Sequence, residues 1–271
     1  MKPTLHNVWA RACILVCLGA ASLGAAHAGR SCESKPLTPH SLQQALNLAQ
    51  KTMEALEQEY QTSGANVQLL ARAGQDLSSY QLLYSHLGWA YRTPEGLWRV
   101  AHKLNTCGTA EGYVYRQGLG EFFLDDLWKP VAAMQVLSPE VQKPLWNYLN
   151  QPQTVLRMQQ VPYSMVSYAW GQKYQQSNQW AIESLAASME PQVIQDRKQA
   201  QAWLQFKGYE PSALTVRSWS RLGGRMTSAN IAFDDHPNEK RFSSRIETIT
   251  VDSVMQWLQR AQLAQAVKVL Q

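Results

Sequence analysis

The sequence is poor in charge, in cysteine and in chain-breaking residues. Only 17% of its 271 residues are Asp, Glu, Lys or Arg, against about 25% in an average soluble domain. Its 15 glycines and 12 prolines are too few for a collagen-like or low-complexity chain. The four cysteines, Cys13, Cys17, Cys32 and Cys107, have no spacing that suits zinc. Gly118-Leu119-Gly120 and Gly223-Gly224 lack both the Gly-Lys-Ser/Thr of a phosphate loop and a dinucleotide fingerprint, so no cofactor and no metal are expected. No segment repeats. What the chain does have is apolar mass: 45% hydrophobic residues and 10 tryptophans, enough to bury a full core.

The N-terminus stands apart. Lys2 and Arg11 precede an apolar run from Ala12 to Ala26, which ends in Ala26-His27-Ala28. That is the pattern of a signal peptide over residues 1–28, and the run is shorter than the roughly 20 residues of a membrane span. No later segment is apolar enough to span, so the expectation is an exported protein, periplasmic or extracellular, with one domain over residues 29–271 and no stable membrane span. Cleavage removes Lys2, Arg11 and no acidic residue, leaving 23 basic and 20 acidic residues, a net charge of +3. Nucleic acid is therefore not an expected partner, and Arg217, Arg221 and Arg225 read as a solvated face. Export also leaves only Cys32 and Cys107. Two thiols in an oxidising compartment point to a disulfide, worth about 4 kcal/mol on the chain-entropy model. The alternative makes Cys107 a nucleophile, since it precedes Gly108 and follows His102 closely; a bridged sulfur could not attack.

Along the mature chain, Thr38-Pro39 predicts a capped helix to about Gln61, closed by Ser63-Gly64. Strands are expected over Val67 to Ala71, Tyr84 to Arg92, Leu97 to Leu104, Gly112 to Tyr115 and Val131 to Leu137. Thr93-Pro94-Glu95-Gly96 makes the second and third a hairpin. Helices are expected over Leu119 to Leu124, from Ser138-Pro139 to Asn150, from Ser177 onward, and from Asp196 to Phe206. Residues 210–271 predict a strand–strand–helix extension: Thr227 to Phe233, Arg245 to Val251, and a helix capped at Asp252-Ser253 that runs through Val269. The fold class is α+β, an antiparallel sheet of about five strands with packed helices.

Three histidines stand inside this fold: His86, His102 and His236. His86 and His102 lie on the two strands of the hairpin, and their numbers sum to 188. An even-summed register puts both imidazoles on one face, whereas a two-residue turn at Pro94-Glu95 gives an odd sum and separates them. A shared face therefore requires a three- or five-residue loop, or a bulge. Paired, one histidine can orient the other as a base. Ser177 opens a helix, where the dipole favours developing negative charge; its plainer reading is an N-cap bonded to a backbone N–H.

Ser85-His86-Leu87-Gly88-Trp89 and Arg99-Val100-Ala101-His102 resemble the paired-histidine hairpin of the circularly permuted papain-like superfamily, which includes lecithin-retinol-acyltransferase-like and NlpC-like proteins. Tyr174-Gln175-Gln176-Ser177-Asn178-Gln179-Trp180 is similar to its nucleophile helix, with Ser177 where the superfamily has Cys. The resemblance implies a permuted papain-like fold, with His86 as base, His102 as orienting residue and Ser177 as nucleophile. A thiol ionises readily beside a histidine, but a serine hydroxyl needs its base in the transition state. Two outcomes follow: hydrolysis or acyl transfer on an amide or ester of the cell envelope, or a groove that binds without turnover. Over about residues 29–260 the chain also resembles an exported bacterial family, the domain of unknown function 2145. The runs that carry this are Gly29 to Glu33, Ala71 to Leu77, Asn105 to Thr109, Ser177 to Trp180 and Arg245 to Ser253. It implies no activity.

Arg72, Gln75 and Tyr84 lie close in sequence to the His86 strand and are candidate groove residues. The expected ligand is a small molecule, a lipid or a peptidoglycan-type fragment. Asp234, Asp235, His236 and Glu239 read as a solvated turn rather than a metal site. Trp89, Trp98, Trp146, Trp170 and Trp180 read as core, with one or two of them available to a groove.

Overall fold

In the computed structural model the described residues are 36–125, 127–216 and 229–271. The signal segment, Cys32 and the Arg217, Arg221 and Arg225 run lie outside them. The chain is α+β. In order it forms α1 (Pro39–Ser63), β1 (Val67–Arg72), β2 (His86–Arg92), β3 (Trp98–Asn105), β4 (Gly112–Gln117), α2 (Leu119–Leu124), β5 (Ala132–Val136), α3 (Pro139–Asn150), α4 (Pro152–Val155), α5 (Ser177–Met189), α6 (Arg197–Phe206), β6 (Ser212–Thr215), α7 (Asn238–Arg241), β7 (Arg245–Thr248), α8 (Val251–Arg260) and β8 (Lys268–Leu270).

Local chemistry sets the ends of these elements. Thr38 accepts a bond from the Ser41 N–H at 3.1 Å and Pro39 occupies the first helical turn of α1, where a missing N–H costs nothing. Gly64, at φ 74°, closes the helix and returns its N–H to the Tyr60 carbonyl at 2.8 Å, a conformation that glycine adopts without strain.

Six strands form one sheet in the order β4-β3-β2-β1-β5-β8, with every pairing antiparallel. Alternation along the strands sends Leu69, Ala71, Leu87, Trp89 and Ala101 to one face, against α3, α5 and α8. Leu70, Ala90, Val100 and Met134 point the other way, against α1 and α2. The sheet is thus covered on both sides, which explains why its strands are apolar without a clean polar alternation.

The C-terminal part differs from expectation in three places. Residues 229–233 are not a strand, while 227 and 228 lie outside the described residues. The partner of β7 is instead β6, Ser212–Thr215, and together they form a separate two-stranded sheet. The last helix begins one residue before Asp252. It is capped by Thr250, which accepts from the Ser253 N–H at 3.1 Å, and it ends at Arg260. The residues expected to extend it turn back, with Gln262 at φ 59°, and Lys268–Leu270 pairs with β5 as the sixth strand. A three-residue edge strand carries too little periodicity to be read from sequence.

Candidate functional site

One cavity, of about 450 Å³, lies where the ends of β1 and β2 meet the start of α5. Its walls are largely apolar. Leu214 of β6, Ile246 of β7, Val216, Phe233 and Val166 form one side, so the small second sheet is the cavity's wall rather than an appendage. The other end is polar: Arg72, His86, Ser177 and Asn178 all border it. Gln75 and Tyr84 line it as well. No tryptophan does; among the described residues Trp89, Trp98 and Trp180 are buried in the core, and the cavity's aromatics are Tyr80, Tyr84, Tyr163 and Phe233.

The histidine pair forms as the register argument requires. The β2–β3 ladder runs from Trp89 opposite Ala101 to Arg92 opposite Trp98, an even sum. Thr93 then donates its N–H to Leu97 at 2.8 Å, and Gly96 sits at φ 86°. This is the three-residue loop with a left-handed last residue that natively joins such strands. Both imidazoles project to the α2 face, where the Phe122 ring lies 5.9 Å from His86 and 5.1 Å from His102. They meet diagonally, His86 Nε2 to His102 Nδ1 at 2.8 Å. The space between them is left by Gly88: a Cβ there would stand 2.7 Å from Val100 Cγ1 and 3.0 Å from His102 Cβ.

A proton order follows from the third member. His102 Nε2 lies 2.8 Å from Gln117 Oε1, and a carbonyl oxygen only accepts. His102 therefore carries its proton on Nε2 and accepts at Nδ1, so His86 donates from Nε2. His86 Nδ1 is then a bare lone pair. It has no hydrogen-bond partner among the described residues, and His86 is one of the residues that line the cavity. Burial, then the Arg72 guanidinium and His102, hold the His86 imidazole well below the usual histidine range. Burial and Arg72 push His102 down to about 3, against weaker support from Gln117 and Asp125. Both rings are neutral at pH 7. Arg72 is itself held by the Asp125 carboxylate and the Phe122 carbonyl.

Ser177 occupies the first turn of α5, behind Gln176, and α5 begins with no side-chain cap. Ser177 is thus not the N-cap. Its hydroxyl lies 3.2 Å from the Tyr163 hydroxyl, and no hydrogen bond joins it to His86 or His102 among the described residues. The reason is topological: α5 packs on the Trp89 face of the sheet, while the imidazoles sit on the opposite, Phe122 face. Ser177 and His86 share a cavity only because His86 opens β2 at the sheet's end. Asn178, next in sequence, ties the two sides together. Its Oδ1 accepts from the Leu87 N–H at 3.1 Å and its Nδ2 donates to the Ile249 carbonyl at 3.3 Å.

Sequence reasoning passed over the polar network beneath the cavity. Glu183 of α5 is fully buried and accepts from Arg197 at 2.8 and 3.0 Å, from Gln201 at 2.7 Å and from Gln175 at 2.6 Å. Gln175 in turn accepts from the Lys103 ammonium at 2.9 Å. Burial, then repulsion from Arg197, pull Lys103 down to about 7. Each of these residues has the composition of a surface position, and only their convergence marks them. Gln117 and Tyr163 were missed for the same reason. The Asp234 to Glu239 turn exists and is solvated in part: Glu239 is exposed, whereas the Asp235 and His236 side chains are buried and paired at 3.0 Å, with the Asp235 Oδ2 also accepting from the Tyr168 N–H at 2.8 Å. Among the described residues no three His, Cys, Asp or Glu side chains are grouped to hold a metal, and no helix is long and apolar enough to cross a membrane.

The structure thus brings His86, His102, Arg72, Gln75, Tyr84 and Ser177 to one end of the molecule, all but His102 on the cavity wall. Cys107 borders the same cavity. A family model, DUF2145, described as an uncharacterized protein conserved in bacteria, matches residues 27–258, so the chain belongs to that family. No curated protein and no solved structure matches it.

Proposed function

We propose, with membership of DUF2145 as the premise, that this protein binds an amphipathic small molecule, its apolar part between β6–β7 and Val166 and its polar head at His86, Ser177 and Asn178. The observation that carries this is the division of a single cavity into an apolar wall and a polar end. Ligand sites are concave, mostly apolar and furnished with a few orienting polar groups. A sugar-rich peptidoglycan fragment would leave the Leu214, Ile246 and Phe233 wall unused, so the lipid-like ligand is favoured. The test is calorimetric titration with a decyl-chain amphiphile and, separately, with N-acetylglucosamine. The decyl compound should bind saturably and the sugar should not. Leu214→Glu, which puts a carboxylate on the wall, should weaken binding about tenfold or more, since a buried unpaired charge costs several kcal/mol. Equal binding of both probes, or none of the decyl compound, overturns the reading.

A second reading is turnover at a papain-like site. What favours it is that His86, with its Nδ1 unprotonated, lines the same cavity as Ser177, since an unprotonated imidazole is a competent base. It requires Ser177 to leave Tyr163 and reach His86 when substrate is bound. Covalent labelling by a serine-directed acylating probe, abolished in Ser177→Ala, is the expected sign. Absence of labelling across several probe classes leaves binding as the whole function.

Export and a Cys32–Cys107 disulfide complete the proposal, supported by the leader pattern and by the two cysteines that follow it. Intact mass measurement of the secreted protein should show a chain starting at Gly29 and lighter by two hydrogen atoms than the reduced form. A retained leader or two free thiols would contradict it.

A further inference from the structure

The polar end of the cavity has a fixed sense of hydrogen bonding. On one side is His86, 9% exposed and on the cavity wall, whose Nδ1 has no hydrogen-bond partner among the described residues. Gln117 Oε1 and His102 set its proton order, at 2.8 Å for each link, so it can only accept. On the other side is the start of α5. The N–H groups of its first turn have no carbonyl a turn earlier to bond to, and α5 has no side-chain cap. Ser177 and Asn178 of that turn border the cavity. That side presents backbone donors, aided by the helix dipole, while the Ser177 hydroxyl is engaged with the Tyr163 hydroxyl at 3.2 Å.

A ligand head that satisfies both must carry a donor beside an acceptor. An ester has two acceptors and no donor; it would face His86 lone pair to lone pair. A carboxylate has the same defect. A tertiary amide lacks the N–H. We infer that the ligand of this site is a secondary amide bearing an aliphatic chain, its N–H donated to His86 Nδ1 and its carbonyl turned to the first turn of α5. The inference rests on the cavity being the ligand site. It narrows the amide-or-ester alternative to one member, by the chemistry that sites built to hydrogen-bond an N–H use to reject analogues without one.

The experiment compares three probes on the intact protein: N-decylacetamide, its N-methyl derivative, and decyl acetate. The secondary amide should bind about tenfold or more tightly than either of the others, the penalty expected for leaving a buried acceptor unpaired. Gln117→Lys should then collapse that preference. An ammonium donates to His102 Nε2, which drives the proton order backwards and leaves His86 Nδ1 protonated toward the cavity. Equal affinity for the three probes overturns the inference while the cavity stands as the ligand site. So does a preference that Gln117→Lys leaves unchanged. Binding of none of them overturns the cavity reading and this inference with it.

Discussion

Glu183→Ala is expected to cost about 3–5 kcal/mol of folding stability, the usual penalty for removing one partner of a buried ion pair. Glu183 is fully buried and Arg197 nearly so. The carboxylate accepts from two guanidinium nitrogens and from the amides of Gln175 and Gln201. Alanine would leave a desolvated guanidinium with only neutral acceptors, the Gly171 carbonyl at 3.1 Å, Gln160 Oε1 at 2.8 Å and the Gln172 carbonyl at 3.4 Å. It would also remove the negative charge that offsets the burial of Lys103. Glu183→Gln keeps the shape and one acceptor and should cost less. Urea denaturation checks this: the midpoint should fall with the slope unchanged. A loss below about 1 kcal/mol would mean the network is not holding α5 and α6 together.

Gly88→Ala comes second. A single methyl at this position would sit 2.7 Å from Val100 Cγ1, 3.0 Å from the Ala101 carbonyl oxygen and 3.0 Å from His102 Cβ. One of those neighbours is backbone in the adjacent strand, so the hairpin itself must give. Overpacking of this kind costs about 1–3 kcal/mol. The functional loss should exceed the structural one, because the displaced atoms include His102. Losing the 2.8 Å contact between the rings releases the proton order that fixes His86. Gly120→Ala is the control: a Cβ there meets nothing within 4 Å, and in α2 it should be neutral or slightly stabilising. Thermal melts, read beside titration with N-decylacetamide, separate the two effects. A Gly88→Ala protein that melts and binds like the unaltered chain would contradict the packing argument.

How far the amino-acid sequence determines this picture varies with the kind of signal. Helix α1 is legible at both ends, since Thr38-Pro39 and Ser63-Gly64 are local instructions. The β2–β3 hairpin is legible too, and so is the condition for joining its histidines, because register is arithmetic once the loop is known. What register does not report is which face a distant helix covers. The placement of α5 on the Trp89 face is decided by Trp180, Ala181 and Leu185 packing into the larger core, a choice made by the whole sheet. That is why Ser177 and His86 share a cavity without sharing a hydrogen bond. The C-terminal region was least legible. β6 and β8 are four and three residues long, too short for a period to show, and β8 is held by pairing with β5 far back in the chain. Buried Glu183, Lys103 and Asp235 were hidden because charged residues are solvated by default, and only the folded neighbourhood reverses that expectation.

The central claim is that the polar end of one cavity, with His86 on its wall, receives the head of an amphipathic ligand. Its most direct test is a titration with N-decylacetamide followed by ring-nitrogen NMR of the histidines. His86 Nδ1 should begin as an unprotonated nitrogen and shift saturably as the N–H of the ligand reaches it. His236 serves as the internal reference, since its side chain is buried against Asp235 and is not on the cavity wall. A saturable change at His86 with His236 unmoved is the predicted result. No change at His86, or equal changes at both rings, would contradict the account.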